Sequence, residues 1–98
     1  MKITIGRENI TLSAVARACG GILVGKDRTL RAVCTDSREA EQNTMFVALR
    51  GEKTDGHRYI SSAVERGCSA VLCESWLPLG DASAVIVKDT ERALSKLA

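Results

Sequence analysis

The fold is decided by the stretch that runs from residue 55 to residue 73, DGHRYISSAVERGCSAVLC. Its first part has the spacing of a helix whose apolar face consists of Tyr59, Ile60, Ala63 and Val64. Gly67 stands where such a helix should end. Residues 70–73 are then apolar at every position, which is typical of a strand buried on both faces. A helix followed by such a strand predicts an α/β domain.

The rest of the chain continues this alternation. Thr11 is placed to cap a helix that has Leu12, Val15, Ala16 and Cys19 on one face and a stop at Gly20 and Gly21. Short strands are predicted at residues 22–24, 31–35, 45–49 and 84–87, with a weaker strand and turn between residues 3 and 10. Asp89 is placed to cap a last helix. We therefore predict one small α/β domain, with helices packed on a mixed or mostly parallel sheet of about five strands.

Length and composition limit the possible functions. A chain of 98 residues with 45% hydrophobic and 27% charged residues is typical of one globular domain, not of a disordered or collagen-like chain. One Phe, one Tyr and one Trp are too few for an aromatic nucleic-acid platform, and a net charge of +2 does not indicate a polyanion partner. No apolar stretch approaches the roughly 20 residues that span a bilayer. We expect a cytoplasmic protein with no nucleic-acid partner and no membrane insertion.

The four cysteines favour buried thiols over a metal site. Cys19, Cys34, Cys68 and Cys73 form no C-x-x-C pair, and only one histidine, His57, is present to complete a zinc site. Each cysteine lies among small or aliphatic residues. We expect reduced thiols that act as small hydrophobes and no bound metal, with a metal or disulfide site as the alternative.

Residues 20–26, GGILVGK, match the G-x-x-x-x-G-K pattern of a phosphate-binding loop. Asp27 stands where that loop needs a Ser or Thr hydroxyl, and its carboxylate would repel a phosphate. A helix precedes the segment and a strand is predicted within it, which reverses the order that the loop requires. We therefore interpret the match as a helix stop followed by a strand.

Two polar segments are candidates for ligand binding. Residues 35–38, TDSR, follow a predicted strand at the end where α/β sheets bind ligands. The guanidinium of Arg38 can donate two parallel hydrogen bonds to a pair of oxygens. The alternative is an Asx-turn at Asp36 with a solvated Arg38, and the residues leave both open. Residues 51–57, GEKTDGH, open a helix whose free amides favour an anion. There Asp55 or His57 orders a bound nucleotide, or Asp55 is only a cap and His57 is structural. No complete catalytic set is present, so we expect no catalytic residue.

In their order and spacing, several blocks resemble the amino-terminal domain of the Mur ligases: DSR at 36–38, MFVALRG at 45–51, DGH at 55–57, AVERG at 63–67 and AVL at 70–72. The beginning (TLSAVA at 11–16, GG at 20–21) and the ending (VKDTERAL at 87–94) are more similar to the MurF branch than to the MurE branch. The resemblance covers nearly the whole chain. Gln42 and Asn43 stand where the family usually has Pro-Gly; Asn tolerates a left-handed turn, so we expect the same backbone path.

The resemblance implies that residues 1–98 form the UDP-substrate-binding domain of an ATP-dependent ligase. MurF-type ligases add D-alanyl-D-alanine to UDP-N-acetylmuramoyl-tripeptide in peptidoglycan synthesis. The resemblance implies that a central domain holds ATP and Mg²⁺ and that the dipeptide also requires a carboxy-terminal domain, both of which we expect outside this chain. The implied contacts to the UDP moiety are Thr35, Ser37, Arg38, Glu52, Lys53 and Thr54. By this reading the domain binds the UDP-linked peptide and contacts its own partner domains, but it does not catalyse. The alternatives are a MurE-type ligase, which adds the third peptide residue, and a non-catalytic interaction module.

Overall fold

A computed structural model describes residues 2–4, 10–50, 55–75 and 81–97. The helices are α1 (Leu12–Cys19), α2 (Ile60–Glu65) and α3 (Thr90–Leu97). The strands are β1 (Lys2–Thr4), β2 (Ile10–Thr11), β3 (Ile22–Val24), β4 (Thr29–Leu30), β5 (Ala32–Cys34), β6 (Thr44–Val47), β7 (Ala70–Cys73) and β8 (Ser83–Ile86). Two short 3-10 turns, Ser37–Glu39 and Gly56–Tyr59, lie before β6 and α2.

Six strands form one mixed sheet in the order β1-β5-β6-β7-β8-β3. The four central strands, β5 to β8, are parallel to one another, and the edge strands β1 and β3 are antiparallel to their neighbours. Strands β2 and β4 pair separately as a short antiparallel ladder. The prediction of a small α/β domain with a mixed, mostly parallel sheet is confirmed.

The sheet separates two apolar clusters. On one face, Leu12 and Val15 of α1 pack with Leu72 of β7 and Val85 of β8. On the other face, α2 contributes residues to a cluster that contains Phe46, Ile60, Ala63, Val71 and Ala84. Neighbouring residues along β6, β7 and β8 alternate between the two clusters, which is why these strands are apolar at nearly every position.

Helix α1 is capped as the sequence predicts. The Thr11 hydroxyl accepts a hydrogen bond from the Ala14 N–H at 3.2 Å, and Gly20 ends the helix with φ 68°. Asp27 adds a second cap, since its carboxylate accepts from the Ser13 N–H at 3.0 Å and from the Ser13 hydroxyl at 2.7 Å. Residues 22–24 form β3, so the phosphate-loop pattern there belongs to a helix stop and a strand.

The Asn43 turn confirms the expectation for the Gln42-Asn43 departure. Asn43 has φ 64°, in the left-handed region that the family's usual glycine would favour. Its N–H donates to the Ser69 hydroxyl at 2.9 Å, and its carbonyl accepts from the Arg31 N–H at 2.7 Å. The turn therefore holds the start of β6 next to the chain before β5 and the chain before β7.

Two local predictions were wrong. Tyr59 is 42% exposed, because the turn Gly56–Tyr59 is a 3-10 turn whose tighter winding moves this side chain off the buried face of α2. Strand β6 ends at Val47 instead of residue 49, and Leu49 instead accepts a hydrogen bond from the Gly56 N–H at 2.6 Å through its carbonyl. The chain thus leaves the sheet two residues earlier than its apolar pattern indicates.

All four cysteines are free and buried, as expected for thiols that act as small hydrophobes. Burial raises the pKa of the Cys68 thiol to about 11. Burial, and secondarily the neighbouring charge of Glu74, raises the pKa of Cys73 to about 11. These thiols therefore remain protonated in the native protein at neutral pH. Within the described residues, no helix is long and apolar enough to span a bilayer.

Candidate functional site at the carboxyl edge of the sheet

The carboxyl ends of the four parallel strands meet at one edge of the sheet, which is where α/β sheets bind ligands. Residues 35–39 follow β5, residues 48–50 and 55–57 follow β6, Glu74 and Ser75 follow β7, and residues 87–89 follow β8. The turn Ser37–Glu39 also packs against α2. The fold therefore brings the two polar segments that the sequence singled out to neighbouring strands.

In the segment after β5, the Asx-turn that the sequence allowed is present. The Asp36 carboxylate accepts from the Arg38 N–H at 2.9 Å. It also pairs with the guanidinium of Arg38, with Nε 3.0 Å from Oδ1 and Nη2 2.7 Å from Oδ2. The guanidinium and the backbone N–H together hold the pKa of Asp36 well below its usual range. Arg38 remains 80% exposed, and Thr35 and Ser37 are half-buried.

In the segment after β6, Asp55 caps the turn that leads into α2. Its Oδ1 accepts from the His57 N–H at 3.0 Å and lies 2.7 Å from the His57 Nδ1. These two contacts lower the pKa of Asp55 from its ordinary value. Asp55 also pairs with Arg50 as an isolated antiparallel bridge, with the Arg50 Nε 3.8 Å from the Asp55 Oδ2. The two ends of the intervening segment therefore lie side by side.

The end of β7 is bonded to this segment through the His57 ring. The Glu74 N–H donates to the His57 Nε2 at 2.9 Å. The Glu74 carboxylate then accepts from the Arg50 Nε at 3.1 Å and from the Thr90 N–H, at the start of α3, at 3.1 Å. Side chains and backbone thus form one hydrogen-bonded network, Asp55–His57–Glu74–Thr90 with Arg50 attached, across the ends of β6, β7 and β8.

Sequence reasoning missed Arg50, Glu74 and Thr90. Two of them could have been noticed from their positions, because Glu74 directly follows an apolar strand and Thr90 directly follows Asp89, the predicted cap of the last helix. Their pairing depends on β7 lying between β6 and β8. The residue pattern of one sequence does not reveal the order of the strands in a sheet. The structure brings Asp55 and His57 together with these three residues, while Thr35, Ser37 and Arg38 lie at the next strand. Glu52, Lys53 and Thr54 lie outside the described residues.

A groove of about 460 Å³ opens beside the network. Arg50, Glu74, Ser75 and Lys88 supply its polar side, and Ile22 and Ile86 form part of its apolar wall. Ile22 lies on the edge strand β3 and is 67% exposed. The groove combines two cations with an apolar surface at the edge of the sheet where ligands are expected.

The phosphate-loop pattern and the possible metal ligands of the sequence were located in the described residues. Among them, no group of three His, Cys, Asp or Glu side chains could hold a metal ion. Residues 22–24 of the phosphate-loop pattern form a paired strand, and Asp27 is committed to capping α1.

Sequence comparisons identify relatives of this chain. Residues 29–98 match the Mur ligase family, catalytic domain. The UDP-N-acetylmuramoyl-tripeptide--D-alanyl-D-alanine ligase of Escherichia coli (strain K12) is 40% identical over 90 residues, which cover 92% of this chain and 20% of that protein. The UDP-N-acetylmuramoyl-L-alanyl-D-glutamate--2,6-diaminopimelate ligase of Cytophaga hutchinsonii is 40% identical over 76 residues, or 74% of this chain and 15% of that protein.

A solved structure shares the fold. The UDP-N-acetylmuramoylalanyl-D-glutamyl-2,6-diaminopimelate--D-alanyl-D-alanyl ligase from Acinetobacter baumannii superposes with a TM-score of 0.80 at 28% identity, over 96% of this chain. The fold is therefore that of one part of this ligase. The chain belongs to the Mur ligase family. It spans 15% to 22% of the length of these three relatives.

Proposed function

We propose that this chain is the UDP-muramoyl-peptide-binding domain of a cytoplasmic, ATP-dependent ligase that adds D-alanyl-D-alanine to UDP-N-acetylmuramoyl-tripeptide. The observation that carries the proposal is the placement of the two polar segments, 35–38 and 55–57, at the carboxyl ends of the adjacent parallel strands β5 and β6. That position is where α/β sheets bind nucleotides, and the named relatives are ligases of UDP-linked muramoyl peptides.

The proposed contacts follow from the chemistry of each side chain. Thr35 and Ser37 donate hydroxyl hydrogen bonds to the uridine-diphosphate moiety. Arg38, oriented by its pairing with Asp36, reaches a phosphate oxygen. Glu52, Lys53 and Thr54 complete the contacts from the chain between Arg50 and Asp55.

The UDP moiety is remote from the amide bond that a Mur ligase forms. Binding energy gained at a remote part of a substrate positions the reacting carboxylate without direct chemistry. ATP and Mg²⁺ are then used by other parts of the full ligase.

The binding proposal is tested by titrating the ¹⁵N-labelled chain with UDP-N-acetylmuramoyl-tripeptide and following the amide signals. We expect saturable shifts at Thr35, Ser37 and Lys53, and weaker binding in the Ser37→Ala variant. Ser62→Ala, on the exposed side of α2, is the matched control and leaves binding unchanged. Shifts confined to other residues would move the site, and no shift at saturating ligand would refute it.

The choice of D-alanyl-D-alanine over a single amino acid rests on the two ends of the chain. The D-alanyl-D-alanine ligase of Escherichia coli aligns over 92% of the chain, whereas the diaminopimelate ligase of Cytophaga hutchinsonii aligns over 74%. The full-length ligase should therefore form product with D-alanyl-D-alanine and UDP-linked tripeptide. Product formed instead from lysine or diaminopimelate with UDP-linked dipeptide would assign the MurE branch.

A further inference from the structure

The His57 ring is used at both of its nitrogens. Nδ1 lies 2.7 Å from the Asp55 carboxylate, and Nε2 accepts the Glu74 N–H at 2.9 Å. A backbone N–H cannot accept, so Nε2 carries no proton in this arrangement and the Nδ1–H donates to Asp55. The ring is therefore neutral, with a single defined tautomer. With both nitrogens engaged inside the protein, the ring has no donor or acceptor left for a ligand.

The ring joins two parts of the chain that are 17 residues apart. On one side, Asp55 is bridged to Arg50, at the end of the chain leaving β6. On the other side, Glu74 follows β7, and its carboxylate contacts both Arg50 and the start of α3 at Thr90. The side chain of His57 is only 14% exposed, so few solvent molecules can replace either contact.

We propose that His57 is a positioning residue for the UDP-substrate site. Its ring fixes the positions of Asp55 and Arg50 relative to the end of β7. Asp55 and Arg50 are in turn the two ends of the chain between residues 50 and 55. The inference rests on the proposed function for its effect on binding. The ring geometry can be tested without any ligand.

Charged residues from three segments surround the ring. Asp55 on its own segment faces Nδ1, Glu74 at the end of β7 donates its N–H to Nε2, and Arg50 at the end of β6 contacts both carboxylates. A proton on Nε2 would remove the acceptor for the Glu74 N–H, although it would strengthen the ion pair with Asp55.

The first test needs no ligand. His57 is the one histidine of the chain, so its ring ¹⁵N signals are unambiguous. We expect a neutral ring protonated at Nδ1, together with slow hydrogen exchange at the Glu74 amide that becomes faster as His57 is protonated. A neutral ring protonated at Nε2 would overturn the inference. So would a Glu74 amide whose hydrogen-exchange rate does not depend on whether His57 is protonated.

The second test separates positioning from general stability. Gln at position 57 places its amide oxygen near the site of Nε2, whereas Asn reaches only the site of Nδ1. His57→Gln should therefore keep the Glu74 bond, and His57→Asn should leave that N–H without a partner. For UDP-N-acetylmuramoyl-tripeptide we expect affinity within about threefold of wild type for His57→Gln and about tenfold weaker for His57→Asn. Arg58→Gln, an exposed neighbour, is the control.

The affinity of the wild-type chain should fall as His57 is protonated, and that of His57→Gln should not. Equal affinities for the Gln and Asn variants, with both folded by their amide spectra, would overturn the inference. If the wild-type chain does not bind the UDP-linked tripeptide, the proposed function fails. The tautomer of the wild-type ring, and the exchange of the Glu74 amide in all three proteins, still decide whether His57 holds β7.

Discussion

Glu74, the first residue after β7, accepts hydrogen bonds from both the backbone N–H and the hydroxyl of Thr90, the first residue of α3, at 3.1 and 3.3 Å. Thr90 is 1% exposed and the Glu74 side chain is 16% exposed. A carboxylate at a helix N-terminus is favoured by the unpaired amides and the helix dipole. One residue thus connects a sheet strand, a helix on the opposite face from α2, and the Arg50 guanidinium.

Replacing Glu74 should test this connection. Glu74→Gln removes the charge that faces both Arg50 and the N-terminus of α3, while keeping the side chain's shape. We expect a loss of about 1–2 kcal/mol in the free energy of unfolding, because hydrogen bonds to a charged and mostly buried group are being weakened. Urea unfolding measures the change. Glu65→Gln at the exposed end of α2 is the matched control and should change it little; equal effects of the two would refute the role of Glu74.

The left-handed turn at Asn43 predicts opposite outcomes for two small replacements. Asn43→Ala puts a Cβ-bearing residue without a polar side chain at φ 64°, and we expect a loss of about 1 kcal/mol. Glycine adopts that φ without strain, so the free energy of unfolding of Asn43→Gly should stay within about 0.5 kcal/mol of wild type. The relief of backbone strain offsets the greater conformational entropy of the unfolded glycine chain. Thermal unfolding compares the three proteins. Equal stability of the Ala and Gly variants would show that the left-handed turn is not formed.

Asp27 predicts a specific loss of stability in acid. Hydrogen bonds donated by the Ser13 hydroxyl and the Ser13 N–H lower the pKa of its carboxyl in the folded state. A carboxyl whose folded pKa is depressed stabilises the protein above its unfolded pKa of about 3.9 and loses that effect as the pH falls through the folded value. The melting temperatures of wild type and Asp27→Asn should therefore differ at pH 7, and the difference should begin to shrink as the pH falls below about 4.

The control for that experiment is Asp81→Asn, which alters an exposed carboxylate whose described hydrogen bond is made by its backbone carbonyl. Its melting temperature should follow that of wild type across the same pH range. A difference between wild type and Asp27→Asn that does not shrink in acid would mean that the charge of Asp27 is not what caps α1.

The buried cysteines should be unreactive towards alkylating reagents in the native protein. With the pKa of Cys68 and Cys73 each raised to about 11, almost no thiolate is present at pH 8, and the thiolate is the reactive form. We expect iodoacetamide to modify none of the four cysteines of the folded chain and all four in urea, as counted by mass spectrometry. Ser61→Cys, on the exposed side of α2, is the positive control. Rapid native labelling at Cys68 or Cys73 would contradict their burial.

Gly56 should not tolerate a methyl group. A Cβ at this position would lie 2.8 Å from both the N and the O of Leu49, which are backbone atoms that cannot rotate away. We expect Gly56→Ala to push residues 55–57 away from the end of β6 and to cost about 1–3 kcal/mol of stability. Under the proposed function it should also weaken binding of the UDP-linked tripeptide. Ser62→Ala serves as the control, and wild-type stability in Gly56→Ala would show that the close approach to Leu49 is absent.

Much of the local structure follows from the sequence, because its causes are local. The Thr11 cap, the Gly20 stop and the apolar face of α1 each depend on residues within a few positions of one another. The fully apolar run at residues 70–73 also identified a strand buried on both faces. Tyr59 shows the limit of this reasoning: whether a turn winds as a 3-10 or an α helix changes which side chains face the core, and the spacing alone does not distinguish them.

By itself, the sequence determined the α/β class, the helix caps, the left-handed turn at Asn43 and the two polar segments that follow strands. Only the tertiary structure decided which strands are neighbours, and hence that Glu74 meets His57, Arg50 and Thr90. The physical reason is range. Helix periodicity and capping act over three or four residues, whereas the network at the carboxyl edge consists of contacts between strand ends that only the order of the sheet brings together.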